Sequence, residues 1–283
     1  MTTMTSTPTR IAERHRAQDV SRARLFADVM RSEWTKIRTV RSTFWTLLAA
    51  MVAMVAISII ASEVIVHQWG TLNEAGKAQF NPIELTAAGT FFAQLAMGVL
   101  GVLVITTEYG TGMIRATFAA VPQRSLLLGA KALVFFLVSL VVGVVSSLVA
   151  FVAGQLILAT YAKQDLSASI TDPGALRTVL GAGVFLAVMG LLGLSLGAVI
   201  RRSAGAVAAL FGLIFFLPAL MALLPASIGD NVNKLLPSNA GSAIYSQVHH
   251  AGALTPVLGF VVLCSYALVA LCVAAVIVQR RDT

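Results

Sequence analysis

Apolar residues occur along this chain in long unbroken blocks, with almost no alternation of apolar and polar positions. Six blocks, at residues 44–66, 83–107, 125–160, 176–200, 204–224 and 256–278, reach the roughly 20 residues that a helix needs to cross a hydrocarbon core about 30 Å thick. They predict an all-α polytopic membrane protein with six transmembrane helices. The third block exceeds the length of one crossing and is expected to tilt or to project from the bilayer as one helix. Ahead of the first block the rhythm changes. Phe26, Met30, Trp34 and Ile37 recur at helical spacing, with Arg24, Asp28, Arg31, Thr35 and Arg38 on the other side. Residues 21–41 are therefore predicted to form an amphipathic helix lying on the membrane surface. Trp34 should sit at the interface, the cations should face anionic headgroups, and Asp28/Arg31 and Glu33/Lys36 are spaced to pair along the helix. Residues 1–20 are rich in Thr, Ser and Arg and predict a disordered basic tail, and residues 280–283 form a short tail at the other terminus.

The block edges carry helix signals. Asn81-Pro82, Asp172-Pro173 and Thr255-Pro256 each place a capping residue before a proline, and Glu84 is spaced to complete a capping box with Asn81. Pro218 lies inside the fifth block and predicts a kink.

Composition narrows the function classes. Hydrophobic residues make up 58% and charged residues 11% of 283 positions, and mean hydropathy is +0.87, whereas soluble domains carry about 25% charged residues. The net charge of +8 does not indicate a nucleic-acid binder, because nine of the 20 basic residues precede Ser42. Placing the N-terminus in the cytoplasm puts 16 basic residues inside and leaves only Lys77, Lys163, Arg177 and Lys234 outside. Six crossings then put both termini inside, in a multi-pass protein of the cell (inner or plasma) membrane. The first block starts too late and runs too long for a secretory signal. Cys264 and Cys272 share one block at a helical separation of about 12 Å, too far for a disulfide. All four histidines lie outside the blocks, and the adjacent pair His249 and His250 would diverge on a helix, so neither a metal site nor an intramembrane enzyme is expected. No lysine completes a Gly-x-x-x-x-Gly-Lys-Ser/Thr loop, so no nucleotide, cofactor or metal is expected on this chain.

Function is expected in three places. The first is residues 108–124, a predicted cytoplasmic loop containing Glu108, Tyr109, Gly110, Thr111, Gly112, Met113, Ile114, Arg115 and Phe118. Thr111 between two glycines predicts a helix N-cap, and Ile114, Phe118 and Val121 predict a short rigid helix ended by Pro122. Glu108 falls at the carboxyl end of the second block, where the helix dipole disfavours an anion and the membrane boundary penalises an unpaired one. It should have a cationic partner, either Arg115 or a basic residue of the surface helix. The second place is the block interior. Gly193/Gly197 and Gly205/Ala209 are small-residue pairs expected to pack helices closely, and Gln94, Gln155, Ser139, Ser146, Ser147 and Ser195 are expected to bond between helices. Ionisable groups such as Glu63, Glu84 and Glu108 lie at block ends. That argues against an ion-coupled secondary transporter or channel, the alternative function. The third is the outer loop 225–254, where Leu236, Pro237, Asn239 and Tyr245 belong to a mixed apolar and small-residue stretch expected to dip into the outer leaflet as a lid.

The chain from Arg22 to Arg281 resembles a permease subunit of the type-2 ABC exporters. The resemblance rests on Arg31-Ser32-Glu33-Trp34-Thr35-Lys36 in the surface helix, Glu108-Tyr109-Gly110-Thr111-Gly112 after the second block, and Leu236-Pro237-Ser238-Asn239-Ala240-Gly241 in the outer loop, in that order on six spans. It implies a dimer with a second permease copy or paralogue, bound to cytoplasmic ATPase subunits that carry ATP and Mg. It implies that Glu108 to Arg115, with Phe118, form the coupling element, supported by Arg31, Glu33, Trp34, Lys36 and Arg38. The mainly aliphatic interior suggests an apolar or amphiphilic cargo: a drug, a peptide or a lipid-like molecule.

Overall fold

A computed structural model describes residues 8–114, 117, 123–161, 166–247 and 252–281. The described residues form helices joined by turns, and six helices are long and apolar enough to cross a membrane: Arg41–Thr71, Pro82–Gly110, Arg124–Tyr161, Ala175–Ile200, Ser203–Met221 and Pro256–Arg280. They are called spans 1 to 6 below. They coincide with the six apolar blocks because in lipid each backbone must satisfy its own polar groups within the segment. Span 3 is a single helix of 38 residues, about 57 Å long.

Span 4 is the hub, because most of its residues are buried whereas most of those in spans 1 and 5 are not. Glycines bring backbones together here. A Cβ on Gly193 would lie 2.1 Å from the carbonyl oxygen of Gly98 on span 2, and one on Gly101 would lie 2.0 Å from that of Gly190. Around this contact Met54, Met97, Phe185, Leu186 and Met189 form the core. Gly205 and Ala209 do not repeat the pattern. Gly205 faces outward, and a Cβ there would meet only the Ile200 side chain of the preceding turn.

Two spans depart from one straight helix. Span 2 is interrupted between Leu85 and Thr90. Ser58 of span 1 donates to the carbonyl of Thr86 at 2.6 Å, which satisfies an oxygen released by the break. Span 5 passes through a π-helical turn at Gly212–Phe216 immediately before Leu217-Pro218. Pro218 has no N–H to donate and its ring crowds the preceding turn, so the wider turn absorbs the defect where a kink was predicted.

The N-terminal helix runs from Pro8 to Thr39, so helical backbone extends into the segment expected to be disordered. Proline is tolerated at a helix start, and no glycine or further proline follows before Thr39. The helix turns at Val40 into span 1. Its apolar face packs on span 3, where Leu25, Phe26, Val29 and Met30 meet Leu126, Leu127 and Ala130. Trp34 is 53% exposed beside this contact. In the loop after span 5, two short helices cover Ala226–Asn233 and Pro237–Tyr245.

Candidate functional site

The docking of the N-terminal helix on span 3 sets the geometry of a buried charge cluster. Val29 against span 3 turns Glu33, one helical turn later, toward Lys131, and the two are 2% and 3% exposed. Lys131 donates to Glu33 and, at 2.8 Å, to Oε1 of Glu108 at the end of span 2. Lys36 donates to Oε1 of Glu33 at 2.7 Å and to Oε1 of Glu108 at 3.1 Å. Two ammonium groups and two carboxylates thus form a neutral tetrad tying three elements together. Burying one ion costs several kcal/mol, and only opposite charges at hydrogen-bond distance offset that cost. Lys36 feels both effects. Burial acts to lower its pKa, and the hydrogen bonds and charges of Glu33 and Glu108 together outweigh it and raise the pKa above its ordinary value.

Glu108 therefore has the cationic partner that its position required, and one of its two cations, Lys36, comes from the N-terminal helix. The second, Lys131, escaped the sequence reading. It lies seven residues inside span 3, about 10 Å along the helix axis, so the inference that ionisable groups keep to block ends fails there. The signal available was a lone charge in the run Ala130-Lys131-Ala132, flanked by apolar residues. Arg115 and Phe118, also assigned to the coupling element, lie outside the described residues.

The turn after Glu108 differs from expectation in one respect. Thr111 is not the N-cap of a following helix; it closes span 2, with its N–H and hydroxyl both bonded to the carbonyl of Thr107. Gly112 follows at φ +73, the left-handed conformation that ends helices at low cost for glycine. Met113, 50% exposed, and Ile114, buried, resume helical backbone directly afterwards. Gly110, Thr111 and Gly112 are exposed.

Tyr109 extends the site toward the other spans. The Arg201 guanidinium stands 5.2 Å from its ring centroid and also donates to the carbonyl of Ile277 at 3.5 Å. Arg124 donates to the carbonyl of Val278 at 3.4 Å. These cations meet the carboxyl end of span 6, where the helix dipole favours positive charge. Of the N-terminal helix residues assigned to coupling, Arg31, Trp34 and Arg38 are exposed, whereas Glu33 is committed inside the chain. Arg31 stands 4.0 Å from Asp28, the pair that the spacing predicted.

At the other end of the spans, the residues expected to form a lid are a docked strap. Leu236 and Pro237 are buried, Gly241 packs on Phe185, and the Tyr245 ring lies 5.5 Å from the Phe185 ring. Asn239 donates to the carbonyl and the side-chain oxygen of Asn233. Thr178 donates to the Tyr245 carbonyl, and Arg177 to the Ser246 carbonyl. Burial pushes the Tyr245 phenol up, and the Glu84 charge adds to the shift. Glu84 does not complete the capping box. Asn81 accepts from the N–H groups of Ile83 and Glu84 as predicted, while the Glu84 carboxylate accepts from Ser246 Oγ and Gln247 N–H. Asp172 does not cap span 4 as expected; its carboxylate accepts from the Ser169 N–H, and span 4 begins after Gly174 at φ +91 with no side-chain cap.

The intramembrane polar groups divide. Gln155 donates to the Pro82 carbonyl and Gln94 accepts from Ser238, so both join separate elements. Ser146 and Ser195 bond back to their own helix. No group of three potential metal ligands occurs among the described residues, and His249 and His250 lie outside them. Comparison of the chain with models of known protein families and with curated proteins gave no match.

Proposed function

We propose that this chain is the membrane permease subunit of an ATP-driven exporter of the type-2 ABC kind, with both termini and the basic end of the spans in the cytoplasm. The observation that carries the reading is the Glu33–Lys36–Glu108–Lys131 tetrad. A partner that works by nucleotide-driven movement needs a stiff handle on the membrane helices. The tetrad makes the N-terminal helix, the end of span 2 and the start of span 3 one such handle. Force applied at exposed Met113, Arg31 or Trp34 passes into spans 2 and 3 through ion pairs that cannot slide without exposing a buried charge. Glu33, Lys36 and Glu108 act as internal struts, and the exposed turn Gly110–Met113 offers the docking face. The N-terminal helix lies at the inner membrane surface. Two copies, or a copy and a paralogue, form the pathway, and ATP with Mg is bound by the partner ATPase. An apolar or amphiphilic cargo suits an interior of few fixed charges.

Purification of the full chain from its native host in mild detergent, with mass spectrometry of what it retains, tests this reading. A stoichiometric ATPase is expected, and Glu108→Ala should release it or uncouple its hydrolysis from transport. An active preparation without a nucleotide-binding partner, driven by a proton or sodium gradient, would overturn the proposal in favour of a secondary transporter. For that alternative the buried carboxylates Glu33 and Glu108 would be the natural ion-carrying groups.

A further inference from the structure

A groove of about 260 Å³ runs between the N-terminal helix and span 3, lined by Met30, Arg31, Trp34, Val134 and Leu137. The N-terminal helix docks on span 3 as far as Ala130, and Val134 and Leu137 follow one and two turns further along that span. The groove is thus the flank of the docked helix that looks along span 3 into the hydrocarbon. Leu137 also starts a stripe of exposed apolar side chains on span 3, continued by Val141, Leu148 and Val152. Below Arg31 and Trp34 the wall is apolar, so water there would lack the polar partners that hold buried water in place. The rim is cationic. Arg24, Arg31 and Arg38 are exposed and recur every seven residues, which keeps them on one side of the helix. Against these three cations the one exposed acid between Arg24 and Arg38 is Asp28, 4.0 Å from Arg31. The tetrad beneath is internally neutral and does not offset the excess. The Arg31 side chain is 86% exposed, and its five N–H donors exceed what Asp28 can occupy.

We propose that this groove binds one anionic phospholipid. Its phosphate accepts from the Arg31 guanidinium and the Trp34 indole N–H, and one acyl chain fills the groove from Met30 past Val134 and Leu137 to the stripe beyond. The rim sets the sign of the headgroup, because a zwitterionic lipid would bring its own ammonium to a face already in excess of positive charge. The site rests on the proposed placement of the N-terminal helix at a membrane surface and not on an ATPase partner. The bound lipid braces the N-terminal helix beside its contact with span 3 and leaves the exposed turn Gly110–Met113 as the docking face.

The test is fluorescence of the full chain with Trp45→Phe and Trp69→Phe, which leaves Trp34 as the one indole emitter, reconstituted in phosphatidylcholine vesicles. A minor fraction of phosphatidylglycerol or of phosphatidylcholine, brominated near the carboxyl end of one acyl chain, serves as contact quencher. At equal fraction the brominated phosphatidylglycerol should quench at least about fivefold more effectively, the preference that one basic side chain near an anionic surface supports, and its effect should saturate. Arg31→Gln should remove most of that preference, whereas Arg24→Gln, the same loss of charge away from the groove, should keep most of it. Both arginines are exposed, and the comparison of the two lipids stands without either variant. Equal quenching by the two lipids, or equal losses in the two variants, would leave the helix at the membrane and overturn the bound lipid. Quenching by aqueous iodide with none from either lipid would overturn the surface placement and the site with it. Protection from all three quenchers would mean that a protein segment covers the groove, which overturns the lipid assignment.

Discussion

An ammonium group deep in a helix that borders lipid is tolerated only while carboxylates hold it, and Lys131 has two. Lys131→Met removes one cation and leaves Glu33 and Glu108 sharing Lys36. The loss should be about 3–5 kcal/mol, the usual penalty for breaking a buried pair on one side. Thermal unfolding in detergent, followed by the monodisperse fraction, should show a lower midpoint, and Glu108→Gln added to Lys131→Met should recover part of it. An unchanged midpoint for Lys131→Met would deny the tetrad any part in holding the helices. The pH dependence has a definite sign. The pKa of Lys36 is raised above 10.5 in the folded chain, so its contribution is fully present below that value and is lost as pH rises through the raised one. The stability advantage of the wild type over Lys36→Met should therefore be constant between about pH 7 and 10 and decline only beyond. Its disappearance near neutrality would show that Lys36 is not paired in this way. At this scale the sequence was partly legible. The demand of Glu108 for a cation follows from its place at a helix carboxyl end, but the choice of Lys131 does not, because 23 positions and a turn separate the two.

Helix elements follow more closely from local chemistry. The Asn81 cap, the Asp28/Arg31 and Glu33/Lys36 pairs and the disturbance at Pro218 are interactions within one turn, and all are present. The misjudged signals are those whose side chains have competing distant partners. Glu84 is spaced to return to Asn81, yet it holds Ser246, 162 positions away, because the Ser246 hydroxyl and the Gln247 N–H need an acceptor while the helix start is already capped by Asn81. Thr111 resembles an N-cap in sequence, but its hydroxyl bonds back to the Thr107 carbonyl one turn earlier in the same helix, which also accepts its N–H. Glycine roles also need the third dimension. Gly193 and Gly129 both sit in span helices, but a Cβ on Gly193 would strike the Gly98 backbone at 2.1 Å, and one on Gly129 would meet nothing within 4 Å. Gly193→Ala should accordingly destabilise by about 1–3 kcal/mol through overpacking. Gly129→Ala should be neutral or stabilising by up to about 1 kcal/mol through helix propensity. Equal midpoints for the two variants in the same detergent would refute the close contact between spans 2 and 4.

For the whole molecule, the distribution of cations predicts an orientation that can be tested directly. In a chain with Cys264 and Cys272 replaced by alanine, single cysteines are introduced as Lys77→Cys and Arg202→Cys. An impermeant maleimide applied to intact cells should label the first and not the second; the opposite pattern would invert the topology. The spans and their number could be read from the sequence alone, because in hydrocarbon every backbone N–H and C=O must bond within its own helix and each segment's composition decides its own fate. Tertiary structure alone decided that span 4 is the hub, that the Pro237–Tyr245 helix is strapped down, and that Glu33 and Lys131, 98 positions apart, meet in one neutral cluster. Those contacts depend on which helix faces touch, and apolar blocks of similar composition carry little information about which neighbours they choose. Lipid and a neighbouring helix are equally apolar to a leucine, so the choice falls to the few glycines and charges whose partners are distant in sequence.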